Sequence, residues 1–399
     1  MLGGAEFDHT EEPVRAADFK PGFLSVAVFG PGHGEAVVVA MPDGRLGVID
    51  ACGEPSAAAG RQSPVLELLG ALGSTRLLFA CLTHPHRDHY GGFATMIERH
   101  LPEHMWWSGD SERKLHRHYL DYVKNLTGDW RSPGGQRSAD LQRLVEVMAA
   151  CIDRDVDSRS EPQHLQQRTH LLSYPTATVP ILVRSLLPTT RAVIQAQQDA
   201  ARSMETTGPV DGRKRPFDPN RISAALEIVW GRTSMVLGGD ALCDDDAQCG
   251  WPSVVRGGVA PAQFVKIPHH ASEGAHSVDL WKLLRPALAV ATCVQHAANG
   301  RPPRPEGLEA LLRTGARVVV TAHPDWWPRE PRGIRHRGAP WAPAVKGRSA
   351  PGALEPHAVT APDLSNPSNA VVVRFDDSGH IDGVRLHGGA REVVLAPGS

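Results

Sequence analysis

One seven-residue run constrains this chain more than any other feature of its sequence. It reads Thr83-His84-Pro85-His86-Arg87-Asp88-His89 and follows an apolar stretch, residues 77–82, which predicts a short buried strand. Tyr90-Gly91-Gly92 comes next and precedes a helix-like stretch. Side chains at such a strand-to-helix turn are positioned by rigid neighbours on both sides. The run therefore predicts a preorganised metal site, whereas histidines that cluster by chance belong on solvated loops.

The spacing H-x-H-x-D-H supplies ligands for two cations. His84 and His86 can project from one turn onto a first ion, while Asp88 and His89 face a second ion. Two cations about 3.5–4 Å apart can hold a hydroxide between them, ready for in-line attack on a phosphoryl or acyl centre. Imidazoles and carboxylates without thiolates suit Zn²⁺ or Mn²⁺, and the sequence leaves that choice open. The predicted cofactor is two divalent metal ions.

The same run resembles the signature of the metallo-β-lactamase-fold hydrolases. Upstream, two predicted strands flank Gly32-His33-Gly34-Glu35-Ala36, a relaxed match to the turn G-Q-G-D-A. That turn is typical of the branch that includes the hydrolase domain of bacterial DNA-uptake (competence) proteins and the phosphorylcholine esterases. A strand ending in D-x-G follows it in that branch, and here Asp50 follows residues 46–49. The resemblance implies an α/β fold, the αββα metallo-β-lactamase sandwich.

Three further motifs follow in the order of that family. Asn220 to Ser223 resembles N-x-x-S, and Gly239-Asp240 resembles a strand ending in G-D. The run Lys266-Ile267-Pro268-His269-His270-Ala271-Ser272 resembles K-V-x-H-H-G-S, with alanine in place of the usual glycine. By this resemblance Asp240 bridges both metals, His270 completes the second metal site, and His269 contacts a phosphate or donates a proton.

The candidate residues fall into three groups. The metal ligands are His84, His86, Asp88, His89, Asp240 and His270. The catalytic residues are Asp88, as ligand or proton acceptor, His269, and Asp50, which orients a ligand histidine or the reacting water. Ser272 and His33 are predicted to contact substrate. Many family members add a third histidine to the first metal, but no clear equivalent stands out among His100, His104, His116, His118, His164 and His170.

The rest of the chain suggests one elaborated domain. Residues 1–19 are assigned to an N-terminal tail, residues 20–322 to the hydrolase domain, and residues 323–399 to a basic Pro/Trp-rich loop and closing strands. Apolar residues at three- and four-residue steps predict a helical insertion at about 111–156, either a cap beside the site or a packing accessory. The polar stretch 199–219 has no periodicity and is expected to be a loop.

Composition says more about the expected cellular location of the protein than about its substrate. The net charge of −2 gives no overall attraction to nucleic acid or to a membrane, and no apolar run approaches the roughly 20 residues of a membrane span. The six cysteines form no C-x-x-C pair, so reduced thiols and a cytoplasmic protein are expected. In residues 323–348, arginines and tryptophans alternate, which suits a nucleic-acid strand, a protein partner or a solvated loop.

The first functional hypothesis is a dinuclear metallohydrolase acting on a phosphodiester, most plausibly a nuclease. One metal core serves many reactions, so a small phosphodiester, a lactone, a thioester or a β-lactam is the alternative substrate. A hypothesis of another class is a metal-binding subunit of a larger assembly, controlled by its partner. The nearly complete ligand set favours catalysis over an idle core.

Overall fold

The computed structural model describes residues 7–31, 34–52, 63–108, 143, 144, 146, 163–205, 218–272, 274, 275, 277–294, 302–322, 334–337 and 368–395. Two nine-stranded sheets form the framework of this described part. Strands of the first sheet are β1 Phe7–Thr10, β2 Leu24–Phe29, β3 Ala36–Ala40, β4 Leu46–Ile49, β5 Arg76–Leu82, β6 Leu101–Ser108, β7 Gln163–Leu165, β16 Ala370–Phe375 and β17 Ile381–His387. Strands of the second are β8 His170–Tyr174, β9 Ile181–Leu187, β10 Ala225–Trp230, β11 Thr233–Leu237, β12 Phe264–Lys266, β13 Leu288–Ala291, β14 Arg317–Val320, β15 Ile334–Arg337 and β18 Arg391–Leu395.

Helices lie on the outer faces of the two sheets. They are α1 Pro64–Ala71, α2 Arg87–Tyr90, α3 Phe93–Arg99, α4 Thr190–Glu205, α5 Gly250–Gly257, α6 Val278–Leu284 and α7 Pro305–Leu312. Three single-turn 3-10 segments, Ala16–Asp18, Pro219–Ile222 and Pro268–Ala271, lie in the connections between strands and helices or between strands. Among the described helices, none is both long and apolar enough to cross a membrane.

Three apolar layers show how the sheets and helices stack. In β2, Val26 and Val28 point into a core shared with Leu226 and Leu288 of the second sheet. The alternate residues of β2 face a second core that also contains side chains of α1, α3 and α4. A third core joins the outer face of the second sheet to α5, α6 and α7. Strands buried on both faces explain the continuous apolar runs in the sequence. The predicted αββα sandwich is therefore confirmed.

Parallel strands within each sheet set the position of the site. In the first sheet the order is β1-β17-β16-β2-β3-β4-β5-β6-β7, and β4, β5 and β6 run parallel. In the second the order is β15-β18-β14-β13-β12-β11-β10-β9-β8, and β11 to β14 run parallel. Loops after parallel strands gather at one edge of a sheet, where ligands commonly bind. Every predicted metal ligand follows one of these strands.

The structure differs from one expectation and leaves others outside the described residues. The stretch 199–219 is not all loop, because α4 continues to Glu205. Its apolar positions, Ala192, Val193 and Ala196, lie in the first half of the helix, so a window starting at residue 199 misses the helical period. Within the segment assigned to an N-terminal tail, β1 pairs in parallel with β17. Most of the 111–156 insertion, and residues 323–348 apart from the backbone of β15, lie outside the described part.

Candidate metal centre

The loop after β5 and the first turn of α2 carry four of the predicted ligands. His84 follows the buried end of the strand, and α2 begins after His86, so Asp88 and His89 lie on the first turn of a helix. His84 and His89 are fully buried, whereas the Asp88 side chain is 31% exposed. The motif thus presents ligands from the protein interior and from the rim of the site.

Asp50, at the end of β4, anchors this loop. Its Oδ1 accepts a hydrogen bond from the Thr83 backbone N–H at 2.8 Å, and its Oδ2 accepts one from the Thr83 hydroxyl at 2.7 Å. Oδ2 also lies 2.8 Å from His89 Nδ1, which donates to it. The backbone of Asp50 has a φ of 58°, in the left-handed region that non-glycine residues rarely adopt. The Asp50 carboxylate, on a residue with a strained backbone, thus fixes both the loop and the ring of His89.

Asp240 reaches the same point from the second sheet. It follows β11 after Gly238-Gly239, and its backbone N–H donates to Ser223 Oγ at 2.9 Å. Its Oδ2 lies 3.2 Å from His89 Nε2, 3.4 Å from His270 Nε2 and 3.9 Å from His84 Nε2. The carboxylate is 3% exposed, so protein atoms surround it almost completely. Asp240 is thus the residue on which ligands from both sheets converge.

The loop after β12 carries the two remaining histidines in a strained conformation. His269, His270 and Ala271 have φ angles of 45°, 56° and 60°, three consecutive non-glycine residues in the left-handed region. Ala271 stands at the motif position that usually holds glycine, so this chain has backbone strain there that glycine would avoid. His270 Nδ1 lies 2.7 Å from Thr292 Oγ1 at the end of β13. Strain of this kind persists where the surrounding structure fixes a functional geometry.

Four ligand atoms meet closely enough to hold one cation. One atom each of Asp88, His89, Asp240 and His270 lie within 4.8 Å of one another. His89 Nε2, His270 Nε2 and Asp240 Oδ1 are buried and have no hydrogen-bond partner. Buried polar atoms are nearly always paired, so two imidazole Nε2 atoms that lie beside Asp240 Oδ2 without a hydrogen-bond partner indicate a site for a cation. Nitrogen and carboxylate donors of this kind suit Zn²⁺ or Mn²⁺, so the residues fit a divalent cation.

Hydrogen bonds at Nδ1 of His84, His89 and His270 determine that the other ring nitrogen, Nε2, faces the cluster. His89 Nδ1 donates to Asp50, and the Thr83 hydroxyl, whose proton goes to Asp50, can only accept from His84 Nδ1 at 3.1 Å. The same reasoning applies to His270 Nδ1 and the Thr292 hydroxyl, which donates to Glu35. All three rings therefore direct Nε2 toward Asp240. Such outer hydrogen bonds orient metal-binding imidazoles.

Protons balance the carboxylates before a cation binds. Burial alone would lower the pKa of His89, but the carboxylates of Asp240, Asp88 and Asp50 raise it well above its ordinary value. Burial would also lower the pKa of His270, but the carboxylates of Asp240 and Glu35 outweigh burial and raise that pKa well above its ordinary value. Burial disfavours the charged form of Asp240 too, yet the neighbouring histidines hold its pKa well below its usual range. A cation would replace the protons on Nε2 of both rings.

We expect the first equivalent of zinc to release about one to two protons at pH 7, because ligand imidazoles must lose a proton to bind metal. Titration calorimetry in buffers of different ionisation enthalpy measures this number. Zinc affinity should also fall as the pH is lowered, since protons then compete more strongly for His89 and His270. A binding enthalpy that does not depend on the buffer would contradict the expectation.

His84 and His86 lie beside this cluster as a pair. His84 Nε2 is 2.9 Å from His86 Nδ1, and burial together with the charges of His89 and His86 holds the pKa of His84 well below its ordinary value. Neither residue belongs to a group of three or more ligand atoms in the described part of the chain. Their assignment, together with Asp240, to the first of the two predicted cations stays a prediction. His116 and His118, and the side chain of His164, lie outside the described residues, while His100 Nδ1 donates to the Ser74 carbonyl.

The predicted substrate contacts lie on the open side of the cluster. His269 is 27% exposed, with Nδ1 2.7 Å from Ser272 Oγ and Nε2 3.1 Å from Asn220 Nδ2. Its Nε2 is 3.9 Å from Asp240 Oδ2. Ser272 thus holds the His269 ring in place, and the structure brings both beside the metal ligands. His33 lies outside the described residues.

Several buried residues of the site were not predicted to have a role. They are Glu35, Thr83, Ser223, Lys266 and Thr292. Glu35 and Lys266 lie inside the motifs already quoted, and their places in those motifs were the only available signal. Thr292 lies outside every motif, and its place next to His270 depends on the pairing of β12 with β13.

No protein-family model and no curated protein matches this chain. Among solved structures, the metallo-β-lactamase fold protein YhfI from Bacillus subtilis is 14% identical, with a TM-score of 0.38 over 74% of this chain and 96% of that one. A diphosphatase of the PhnP family is 10% identical, with a TM-score of 0.31 over 68% and 86%. Human tRNase Z, short form, is 14% identical, with a TM-score of 0.30 over 66% and 91%. CmlA β-hydroxylase is matched over 46% of its own length.

Proposed function

We propose that this protein is a metal-dependent hydrolase of phosphodiester bonds, working with two divalent cations. The observation that carries the proposal is the convergence of Asp88, His89, Asp240 and His270, in which the buried Nε2 atoms of both histidines have no hydrogen-bond partner. Such a set has little structural use, because burying unpaired polar atoms destabilises a fold. Bound cations would supply Lewis acidity and lower the pKa of a coordinated water.

The side chains assign three tasks around the reacting phosphorus. Asp88 has a lowered pKa, because neighbouring His89 and His270 outweigh its burial, so it is a carboxylate that can accept the proton of the attacking water. Oxygen of that water bonds to phosphorus as the bond to the leaving alcohol breaks. His269, held by Ser272, contacts the phosphate or protonates the leaving oxygen. Asp50 keeps His89 oriented throughout.

Support for phosphodiesters over acyl substrates comes from the motif resemblance, which includes the competence-type turn and the His-His-Ala-Ser loop. The proposal includes both a nucleic-acid substrate and a small phosphodiester. The basic segment at residues 323–348 remains a predicted contact for a nucleic acid or a protein partner.

The test compares metal-stripped protein with protein to which Mn²⁺ or Zn²⁺ has been restored. We expect hydrolysis of bis-p-nitrophenyl phosphate only with metal, and labelled single- and double-stranded DNA added in parallel would identify a nuclease. His86→Ala should lower turnover at least about 100-fold, since loss of even an outer partner of a metal ligand costs about 10–100-fold. The control is His380→Ala, which removes an exposed histidine in the turn between β16 and β17 and should change nothing.

Three outcomes would count against parts of the proposal. Turnover that persists without metal would reject a metal-dependent reaction. Metal-dependent turnover that survives in His86→Ala would reject His86 as a ligand. Hydrolysis of lactones or thioesters with no phosphodiester turnover would keep the metal centre but assign it to acyl chemistry.

A further inference from the structure

A buried ion pair joins the two sheets directly behind the metal centre. Glu35 precedes β3 in the first sheet, Lys266 ends β12 in the second, and the two side chains are 2% and 1% exposed. Lys266 Nζ donates to Glu35 Oε1 and, at 2.9 Å, to the carbonyl oxygen of Gly239, the residue before Asp240. Lysine and glutamate are almost never fully buried unless they are paired.

The second oxygen of Glu35 leads to a metal ligand. Glu35 Oε2 accepts a hydrogen bond from the Thr292 hydroxyl at 2.7 Å, and that hydroxyl oxygen lies 2.7 Å from His270 Nδ1. Oε2 itself is 3.2 Å from the same nitrogen. A continuous path of contacts therefore runs from Lys266 through Glu35 and Thr292 to His270. Glu35 and Thr292 thus support His270 at Nδ1, as Asp50 supports His89 at its Nδ1.

The carboxylates of Glu35 and Asp50 also form, with His89, a compact group whose ligand atoms lie within 4.8 Å of one another. Its oxygens are already used, because Lys266 and Thr292 bind Glu35 while Thr83 and His89 bind Asp50. Burial opposes ionisation of Glu35, but Lys266 outweighs it and lowers the pKa of Glu35 to about 2. The ammonium of Lys266 thus supplies the positive charge here, and the group is a support for the site rather than another cation site.

We infer that Glu35, held by Lys266, is a positioning residue that fixes His270 through Thr292 and sets the affinity of the site for its cation. The inference rests on the proposed metal centre. The competing explanation is an ion pair that only ties the two sheets together. Both explanations predict that Glu35→Gln or Lys266→Met alone destabilises the protein, because each leaves one buried charge without its partner. Those single variants do not separate them.

The double variant Glu35→Gln/Lys266→Met separates them, since it removes both charges and leaves none unpaired. Zinc affinity is measured by competition with a chromophoric chelator, and folding by thermal unfolding of the metal-free protein. We expect unfolding close to wild type, but zinc affinity about 10–100-fold weaker, the usual cost of losing an outer partner of a metal ligand. Thr292→Val keeps the ion pair but removes the hydroxyl that bonds both Glu35 and His270, so it should also weaken zinc binding.

Glu227→Gln is the matched control, because Glu227 is a buried carboxylate in the second sheet, 3% exposed, with its own partner in Arg184 at 2.9 Å. It should leave zinc affinity unchanged. If the double variant and Thr292→Val bind zinc as tightly as wild type, the positioning role is rejected and the pair is structural. If wild type binds zinc but hydrolyses no phosphodiester, the proposed function fails while the positioning role still stands or falls on the zinc affinities.

Discussion

Replacing Asp240 by asparagine is expected to lower metal-dependent phosphodiester hydrolysis by about 1,000-fold or more. Asp240 Oδ2 lies within 3.2–3.9 Å of the Nε2 atoms of His89, His270 and His84, so one charge serves the ligands of both predicted cations. A bound cation contributes several kcal/mol to stabilising the transition state. Since about 1.36 kcal/mol corresponds to a tenfold change in rate, losing about 4 kcal/mol corresponds to about 1,000-fold.

Asparagine has nearly the same shape as aspartate, which separates the effect of charge from the effect of packing. Zinc affinity and turnover would be measured on the same preparations, with metal-free folding followed by circular dichroism. Asp279→Asn provides the control, because the Asp279 side chain is 76% exposed on α6 and contacts no site residue in the described part of the chain. An Asp240→Asn protein that binds two equivalents of zinc and keeps its activity would show that Asp240 is not a ligand.

The sequence predicted the strands and the order of the motifs because both depend on local patterns. Apolar runs such as residues 24–29 and 264–267 are buried on both faces, and the loops that follow parallel strands meet at one edge. The meeting of Asp88, His89, Asp240 and His270 could therefore be expected from motif order. The loop interpretation of residues 199–219 was wrong for its first part, because the apolar residues that anchor α4 precede it.

The supporting residues could not be predicted in the same way. Lys266 and Glu35 are 231 positions apart, and their contact exists only because the two sheets pack face to face. A lysine in a sequence is more often exposed than buried, so its charge gives no indication of a buried role. Thr292 supports His270 only through the register of β12 with β13, in which Lys266 pairs with Val290. Long-range pairing of this kind leaves no periodicity in the sequence.

Gly239→Ala is expected to destabilise the metal-free protein by about 2–5 kcal/mol and to abolish tight zinc binding. Gly239 has a φ of 48°, which costs a residue with a side chain roughly 1–2 kcal/mol. A methyl group there would also lie 2.4 Å from the Ala224 carbonyl oxygen and 2.8 Å from Ser223 Oγ, and overpacking of this kind costs about 1–3 kcal/mol. Backbone atoms cannot retreat as a flexible side chain would, so the loop itself must move.

The displaced loop is the one that holds Asp240. The Gly239 carbonyl accepts hydrogen bonds from Lys266 Nζ and from the His269 backbone N–H, each at 2.9 Å, and Ser223 Oγ accepts one from Asp240 N–H.

Gly73→Ala is the matched control, because Gly73 has a φ of 62° but no atom within 4 Å of the added methyl. It carries the conformational strain without the collision, and it should cost about 1 kcal/mol and leave zinc affinity unchanged. Urea unfolding and zinc competition on both variants measure the difference. Equal effects would mean that left-handed backbone strain alone, and not the close approach of the strands, explains why glycine precedes Asp240.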